Sequence, residues 1–556
     1  MDDSSAAGKP SDLAERVRSL MPQLTAELSD LVAIPSVSEV GYPEPTRPEL
    51  LRAHEMITGL LRDAGCQTIT DLELPGTAPI IIAEIDAPPG APTVLLYSHY
   101  DVVPAGDESL WATPPFEPTL RDGALYGRGA GDTKSNIVAL VGALRAWDGR
   151  PPVGVKVVIE GQEEVGGGAL TAYPPDEPGL FDADAMIIAD MGSVRPGVPT
   201  LTVALRGMAD VTIEARTLAS AKHSGQYGGA APDALLALIR ALSTLHDENG
   251  DVAVEGLRRE EWAGGGTSDE EFRALAEVAE EQPLIGTGSL GSRVWSGPAI
   301  TVTGIDAPPV DGALNAVQPH ARARLNVRVH PEQDAGEAQA AVVRHLESVM
   351  PFGVTIQVTA GATGNGFAAN TSSAAYEAAA LAWSAAWEAE TVTAGSGGSI
   401  PLVSALSLAV PRADIMLGGS TDGFANIHGP NERVLLDELE KTTLAIADFL
   451  ADSPSRPTGA IDERGTGGRI TSAGSRGDDP APPRLHRASR QQGSAPGDSL
   501  PCAVPRRDTA FPGLLHAGRE RDVRDLQAAA GRGRGDRDSG LRASGGDAPS
   551  RAGRRG

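Results

Sequence analysis

The sequence predicts an α/β protein: a sheet with helices on both faces, a smaller α+β domain inserted into it, and a disordered C-terminal tail. Three observations lead there. Between residues 11 and 190 short, apolar, β-rich runs alternate with helical periodicities, the pattern of a sheet covered on both sides. From about Leu201 the texture changes to longer strands and two amphipathic helices. From Ser453 onward the last 104 residues hold 19 Arg, 12 Asp+Glu and no Lys, with apolar residues too sparse for any period.

The elements follow in order. Residues 11–34 have helical periodicity behind a candidate Ser11 cap, and 48–65 form a second helix that Gly65 stops. Buried strands are expected at 79–85, 93–101, 155–161 and 183–190. The last three end in polar, acidic or His residues, and ligands of open α/β sheets sit beyond the carboxyl ends of strands. Residues 200–216 read as one strand, 232–246 as a helix, 321–330 as an alternating strand and 334–350 as a helix. The first domain resumes near Asn370 with a helix and closes with another ending about Phe449. The expected division is therefore 1–205 and 363–452 for the main domain, 206–362 for the insert and 453–556 for the tail. A tail of that composition cannot bury enough surface to offset an ordering cost of about 1–2 kcal/mol per residue. Its abrupt onset fits an extension unrelated to the fold.

Charge narrows the function. The chain has 47 Lys+Arg against 74 Asp+Glu, a net −27 over 556 residues. The tail carries +7 and the remainder −34. Nucleic-acid binding needs a basic face to displace counterions, so it is not expected; the run GRGRGDRDSG (531–540) reads as solvated tail. The start, MDDSSAAGKP, lacks the basic residues and apolar run of a secretory signal, and nowhere do 18 apolar residues run together. Cys66 and Cys502 make at most one bridge. The expectation is a soluble cytoplasmic protein without a membrane partner.

Several signatures fail. No HExxH occurs, and GRGAGDTKSN (127–136) departs from both phosphate-loop and dinucleotide patterns, with Lys134 after Thr133 and Asp132 at the third Gly. What remains is a set of metal-type ligands near strand ends. His99 and Asp101, in SHYDVVP, face one way if the strand persists, letting Asp101 hold the back of His99; the alternative is a surface pair. Asp132 sits in a loop with Gly127, Gly129 and Gly131, as a carboxylate bridging two cations or as a helix cap. Glu163 and Glu164 are adjacent carboxylates that share a crevice only if a cation offsets them, and otherwise belong to a solvated loop. Asp190 ends IIAD and His428 lies in NIHGPNE. Two imidazoles and three carboxylates suit paired Zn²⁺ or Mn²⁺. Two dications against three carboxylates and a bridging hydroxide leave such a site neutral.

In this order the motifs SHYDVVP, GRGAGDTKSN, EGQEEVGGG, IIAD and IHGPNE resemble the dinuclear zinc metallopeptidase family of carnosine dipeptidases, glutamate carboxypeptidase, aminoacylase and succinyl-diaminopimelate desuccinylase. The resemblance spans about Leu13 to Leu450. It implies a mixed-sheet zinc-peptidase domain with an inserted lid and dimerisation domain. It also implies that His99 and Asp190 bind one metal, Glu164 and His428 the other, and Asp132 both, with a cis peptide after Asp132. Asp101 would orient His99. Glu163 would be the general base that takes a proton from the metal-bridging water and returns it to the leaving amine. His223, in KHSGQYGG, matches a histidine offered to the partner subunit's site, where it would steady the oxyanion. Arg328, in LNVRVHP, and Gly398 and Ser399, in GSGGSIP, match groups that receive the substrate carboxylate. Asp190, where other branches tend to carry Glu, points to the dipeptidase branch. The implied function is hydrolysis of dipeptides or short peptides by a homodimer with two Zn²⁺ or Mn²⁺ per subunit. The alternatives are an N-acyl amino acid deacylase or carboxypeptidase of the same family, and a non-catalytic homologue that binds a small molecule. His54, His246, His320, His330 and His345 match no motif and read as surface or core residues.

Overall fold

Apolar runs at 80–85, 93–99, 154–160 and 185–189 become neighbouring buried strands in the computed structural model, which describes residues 10–454 other than Gly265 and Ser399. They belong to a nine-stranded mixed sheet. Its order is Thr68–Leu72, Ile80–Ile85, Gly154–Glu160, Thr93–His99, Ala185–Ala189, Asp414–Gly418, Thr200–Leu205, Phe367–Ala368, with Val392–Ser396 also on Thr200–Leu205. Thr93–His99 runs parallel to Gly154–Glu160 and to Ala185–Ala189, and Asp414–Gly418 runs parallel to the latter. Parallel central strands bring their carboxyl ends to one edge, which is where the acidic and His residues cluster.

Both faces are covered. Helices Pro10–Val32, Arg47–Asp63, Ser135–Ala146, Ala374–Trp387 and Leu436–Asp452 pack into one apolar cluster with strand residues such as Ile81, Leu96 and Val157. Leu24, Leu28 and Leu31, at helical spacing, are fully buried there, each contributing on the order of 1.5–3 kcal/mol by burial. On the other face Phe181, Leu402 and Leu406 cover Leu95, Tyr97 and Ile188.

The run 200–216 departs from expectation. It is two strands, Thr200–Leu205 in the large sheet and Gly207–Arg216 in a second one, because the chain changes sheets at Arg206. The second sheet is antiparallel, ordered Ala299–Asp306, His320–Val329, Gly207–Arg216, Ile356–Gly364. Helices Ala234–Leu242 and Ala335–Ser348 cover one of its faces through a separate apolar cluster. Its two outer strands were not foreseen: they are Thr- and Gly-containing and largely exposed, so they lack an apolar alternation. The strand expected over 93–101 stops at His99, and the helix expected over 232–246 spans Ala234–Leu242. The first helix already includes Pro10, so Ser11 lies within it and not before it. The tail reading from residue 455 onward, with Cys502, falls outside the described residues.

Candidate metal centre

Three side chains meet at the carboxyl edge of the parallel strands. His99 is the last residue of its strand, Asp190 directly follows Ala185–Ala189, and Asp132 comes from the Gly-rich loop before helix Ser135–Ala146. His99 Nε2 lies 3.2 Å from Asp132 Oδ1 and 3.2 Å from Asp190 Oδ1. The other carboxylate oxygen of Asp132 lies 3.2 Å from His428 Nε2, which is 3.0 Å from Glu164 Oε2. Two triads, His99–Asp132–Asp190 and Asp132–Glu164–His428, thus share a single carboxylate, with one oxygen turned to each. The cap alternative for Asp132 falls away, since both oxygens are engaged by imidazoles. The peptide between Asp132 and Thr133 is cis.

Charge makes the same point. Burial opposes ionisation of Asp132, yet hydrogen bonds from His428 and His99 outweigh it and hold the carboxyl below the usual range. Burial pushes Asp190 up to about 6 and raises Glu164. Glu164 Oε1 is buried with no hydrogen-bond partner among the described residues. A buried, unsatisfied carboxylate oxygen beside two imidazoles and two further carboxylates is the donor set that a pair of borderline-to-hard dications would satisfy.

Asp101 reaches His99 by a route other than strand alternation, because the strand ends at His99. Its carboxylate lies 3.3 Å from His99 Nδ1 and its backbone carbonyl 3.1 Å. The same carboxylate accepts the backbone amides of Glu163 and Glu164, each at 3.1 Å. One buried group therefore orients an imidazole and fixes the turn bearing both glutamates. The Glu163 side chain is half-buried and makes no hydrogen bond among the described residues. Burial, with the negative charges of Asp190 and Glu164 adding to it, raises its carboxyl well above the ordinary range. An electron-rich carboxyl in that setting is suited to holding and releasing a proton.

Behind Asp132 stands Glu432, which the motif reading passed over. Its Oε1 accepts the amides of Gly131 and Asp132 at 2.9 Å each, and its Oε2 pairs with Arg128 at 2.5 Å. Arg128 and Glu432 are both buried. Gly129 is left-handed at φ 81°, and a Cβ there would lie 2.5 Å from Val102 Cγ1, so only glycine fits. Lys134 donates to the carbonyls of Leu31 and Ile34 at 2.9 and 2.7 Å, pinning the loop to the first helix instead of meeting a phosphate.

The profile of the peptidase family M20/M25/M40 matches residues 95–452. The chain belongs to this family. Among relatives of these M20 peptidases, cysteinylglycine-S-conjugate dipeptidase of Corynebacterium striatum is 38% identical over 435 residues, 76% of this chain and 94% of its own length. Beta-Ala-His dipeptidase of Rattus norvegicus is 31% identical over 348 residues, 58% of this chain and 70% of its own. The solved structure of human carnosine dipeptidase 1 covers 81% of this chain and all of its own at a TM-score of 0.67 and 25% identity. The M20 family is the one implied by the ordered motifs, and the mixed α/β architecture is as expected.

Other residues singled out in this M20 peptidase lie apart from the two triads. His223 is exposed, its Nδ1 accepting the amide of Gly225 at 3.1 Å, and it touches neither triad. Arg328 is half-buried on the uncovered face of the second sheet, with no hydrogen-bond or ion-pair partner among the described residues. Gly398 is exposed and donates its amide to Ser396 Oγ at 3.1 Å; Ser399 lies outside the described residues. Of the remaining histidines, His54 pairs with Asp71, His320 with Glu214, His345 with Thr244 and His330 with Glu260 and the amide of Glu332.

Proposed function

We propose that this M20 peptidase hydrolyses dipeptides, with His99, Asp132, Asp190, Glu164 and His428 holding two divalent ions. The observation that carries the reading is the sharing of Asp132, one oxygen to each triad. When bound, the ions would polarise a peptide carbonyl and make water nucleophilic near neutral pH. Glu163 takes the proton of the attacking water and delivers it to the leaving amine. Asp101 keeps His99 in one orientation and the Glu163 turn in place. His223 steadies the oxyanion in the partner subunit's site, while Arg328, Gly398 and Ser399 receive the substrate carboxylate.

Residues 1–205 and 363–452 make the catalytic domain and 206–362 the lid. Dimerisation runs through the lid; its outer strand Ala299–Asp306 exposes Val302 and Ile305 at 44% and 47%, and an open edge of that kind favours pairing with a second copy. An exposed His223 fits service to a partner rather than to its own subunit. The ions are zinc or manganese, the donors being imidazole and carboxylate. The compartment is the cytoplasm; among the described residues no helix is long and apolar enough to cross a membrane.

The test is a panel of free dipeptides, S-substituted cysteinylglycines included, against N-acylated amino acids, with added Zn²⁺ or Mn²⁺. Faster turnover of the acylated substrates would move the reading to a deacylase, and no turnover of either class to a binding protein.

A further inference from the structure

His99 and His428 are held in place by different means. The Nδ1 of His99 faces the Asp101 carboxylate at 3.3 Å, and its side chain is 1% exposed. The His428 side chain is 52% exposed; its Nε2 contacts Asp132 and Glu164, and its Nδ1 has no partner among the described residues. A metal-binding imidazole is ordinarily fixed through its second nitrogen. For His428 that task falls to the backbone of its loop. Asn426, His428 and Asn431 are all left-handed there, at φ 56°, 62° and 60°. Non-glycine residues seldom take that conformation, and they keep it only where the surroundings hold them.

Those surroundings centre on one buried ion pair, between residues 11 positions apart at the two ends of the loop. Arg433 Nη1 and Nη2 donate to Asp422 Oδ2 and Oδ1 at 2.5 and 3.1 Å, a two-pronged contact. Asp422 Oδ1 also accepts the amide of Phe424 at 2.8 Å, and the amide of Arg433 donates to the carbonyl of Ala425 at 2.9 Å. Each end of the loop is moored beside another donor's segment. Thr421–Asp422 pairs with Gly192–Ser193, just beyond Asp190, and Arg433 pairs with Tyr126, which leads into the Gly-rich loop of Asp132.

We propose that the Asp422–Arg433 pair is a positioning device: by clasping the loop it fixes His428, and so sets metal affinity at the Glu164–His428 position. The His99–Asp190 position is independent of it, and Asp132, which serves both, has its own brace in Glu432. This rests on the two-metal reading and deepens it by giving the two positions separate supports.

The test titrates Mn²⁺ into the metal-free, full-length chain by calorimetry, for wild type, Arg433→Met, Arg433→Lys and Asp422→Asn. Wild type should take up two equivalents. In Arg433→Met and Asp422→Asn one equivalent should bind as in wild type and the other about 10–100-fold more weakly. Arg433→Lys keeps the charge without the fork and should fall between. Hydrolysis by these variants should return toward the wild-type level as Mn²⁺ is raised. Arg145→Met breaks the Arg145–Glu27 pair between helices Ser135–Ala146 and Pro10–Val32 and serves as the control for lost stability: it should lower Tm with both equivalents unchanged. Should Arg433→Met not fold, Arg433→Lys and Asp422→Asn carry the same comparison. Unchanged affinity for both equivalents overturns the proposal and leaves the two-metal reading intact, and so does an equal weakening of both, the mark of a merely structural role. A wild type that binds no Mn²⁺ fails the two-metal reading itself, and the proposal with it.

Discussion

Glu432 Oε1 accepts the backbone amide of Asp132 at 2.9 Å across 300 positions of sequence. The carboxylate that both triads share is thus held from behind by a second carboxylate, whose own charge is matched by Arg128 at 2.5 Å. Neither ion of that pair hydrogen-bonds a side chain of the triads; Glu432 meets only the backbone amides of Gly131 and Asp132. The pair serves as a brace for the loop.

Glu432→Gln keeps the shape of the side chain and leaves Arg128 buried without a counter-charge. Breaking a buried pair in this way costs about 3–5 kcal/mol. Urea unfolding should show a drop of that size; a change below about 1 kcal/mol would mean that water or another group reaches Arg128.

Asp132→Ala should remove ligand atoms from both triads at once, whereas Asp190→Ala or Glu164→Ala touches only one. Metal analysis after dialysis is expected to find both equivalents lost from the first variant and one retained by each of the others. One equivalent surviving in Asp132→Ala would contradict the shared-carboxylate arrangement.

For Glu163→Gln the expectation is normal metal content with hydrolysis reduced by about 10²–10⁴, the contribution of a placed general base. Wild-type turnover in this variant would remove Glu163 from its assigned role.

Asp101→Asn leaves a neutral group against His99 Nδ1 and a weaker acceptor for the amides of Glu163 and Glu164. Changes behind a metal-binding imidazole typically cost 10–100-fold in affinity or activity. Metal titration should place this variant in that range, weaker than wild type yet still binding.

Asp448, in helix Leu436–Asp452, gives a pH-dependent prediction. Burial, with Asp452 adding like charge, pushes its carboxyl up to about 6. A raised folded-state pKa means that folding favours the protonated form. Its contribution is present below the ordinary carboxylate pKa and is lost as pH rises through about 6. Asp448→Asn should therefore raise Tm at about pH 8, with the gain shrinking toward zero by about pH 4. A gain that is the same at both would rule out Asp448 as its source.

The candidate centre was legible to an unusual degree because its donors sit in short, polar strings at the ends of apolar runs. Position after a buried strand already places His99 and Asp190 near a common crevice. Asp101 was legible for a wrong local reason: alternation along a strand was invoked, while the strand ends and the chain turns back on His99. Glu432 and Arg206 were not legible. Glu432 closes the NIHGPNE string, yet nothing local distinguishes a carboxylate that braces a distant loop from one in water. Arg206 sits inside a run that reads as a single strand, and only the change of sheet reveals the break.

Local chemistry set the α/β class, the buried central strands and the identities of the candidate donors, since burial period and ligand type are properties of neighbouring residues. Which oxygen of Asp132 faces which imidazole, what braces its loop and why the Arg206 guanidinium lies buried where the chain changes sheets were decided by tertiary structure. The reason is physical: those relationships depend on distances between groups up to 304 positions apart, and such distances exist only once the sheets have closed around them.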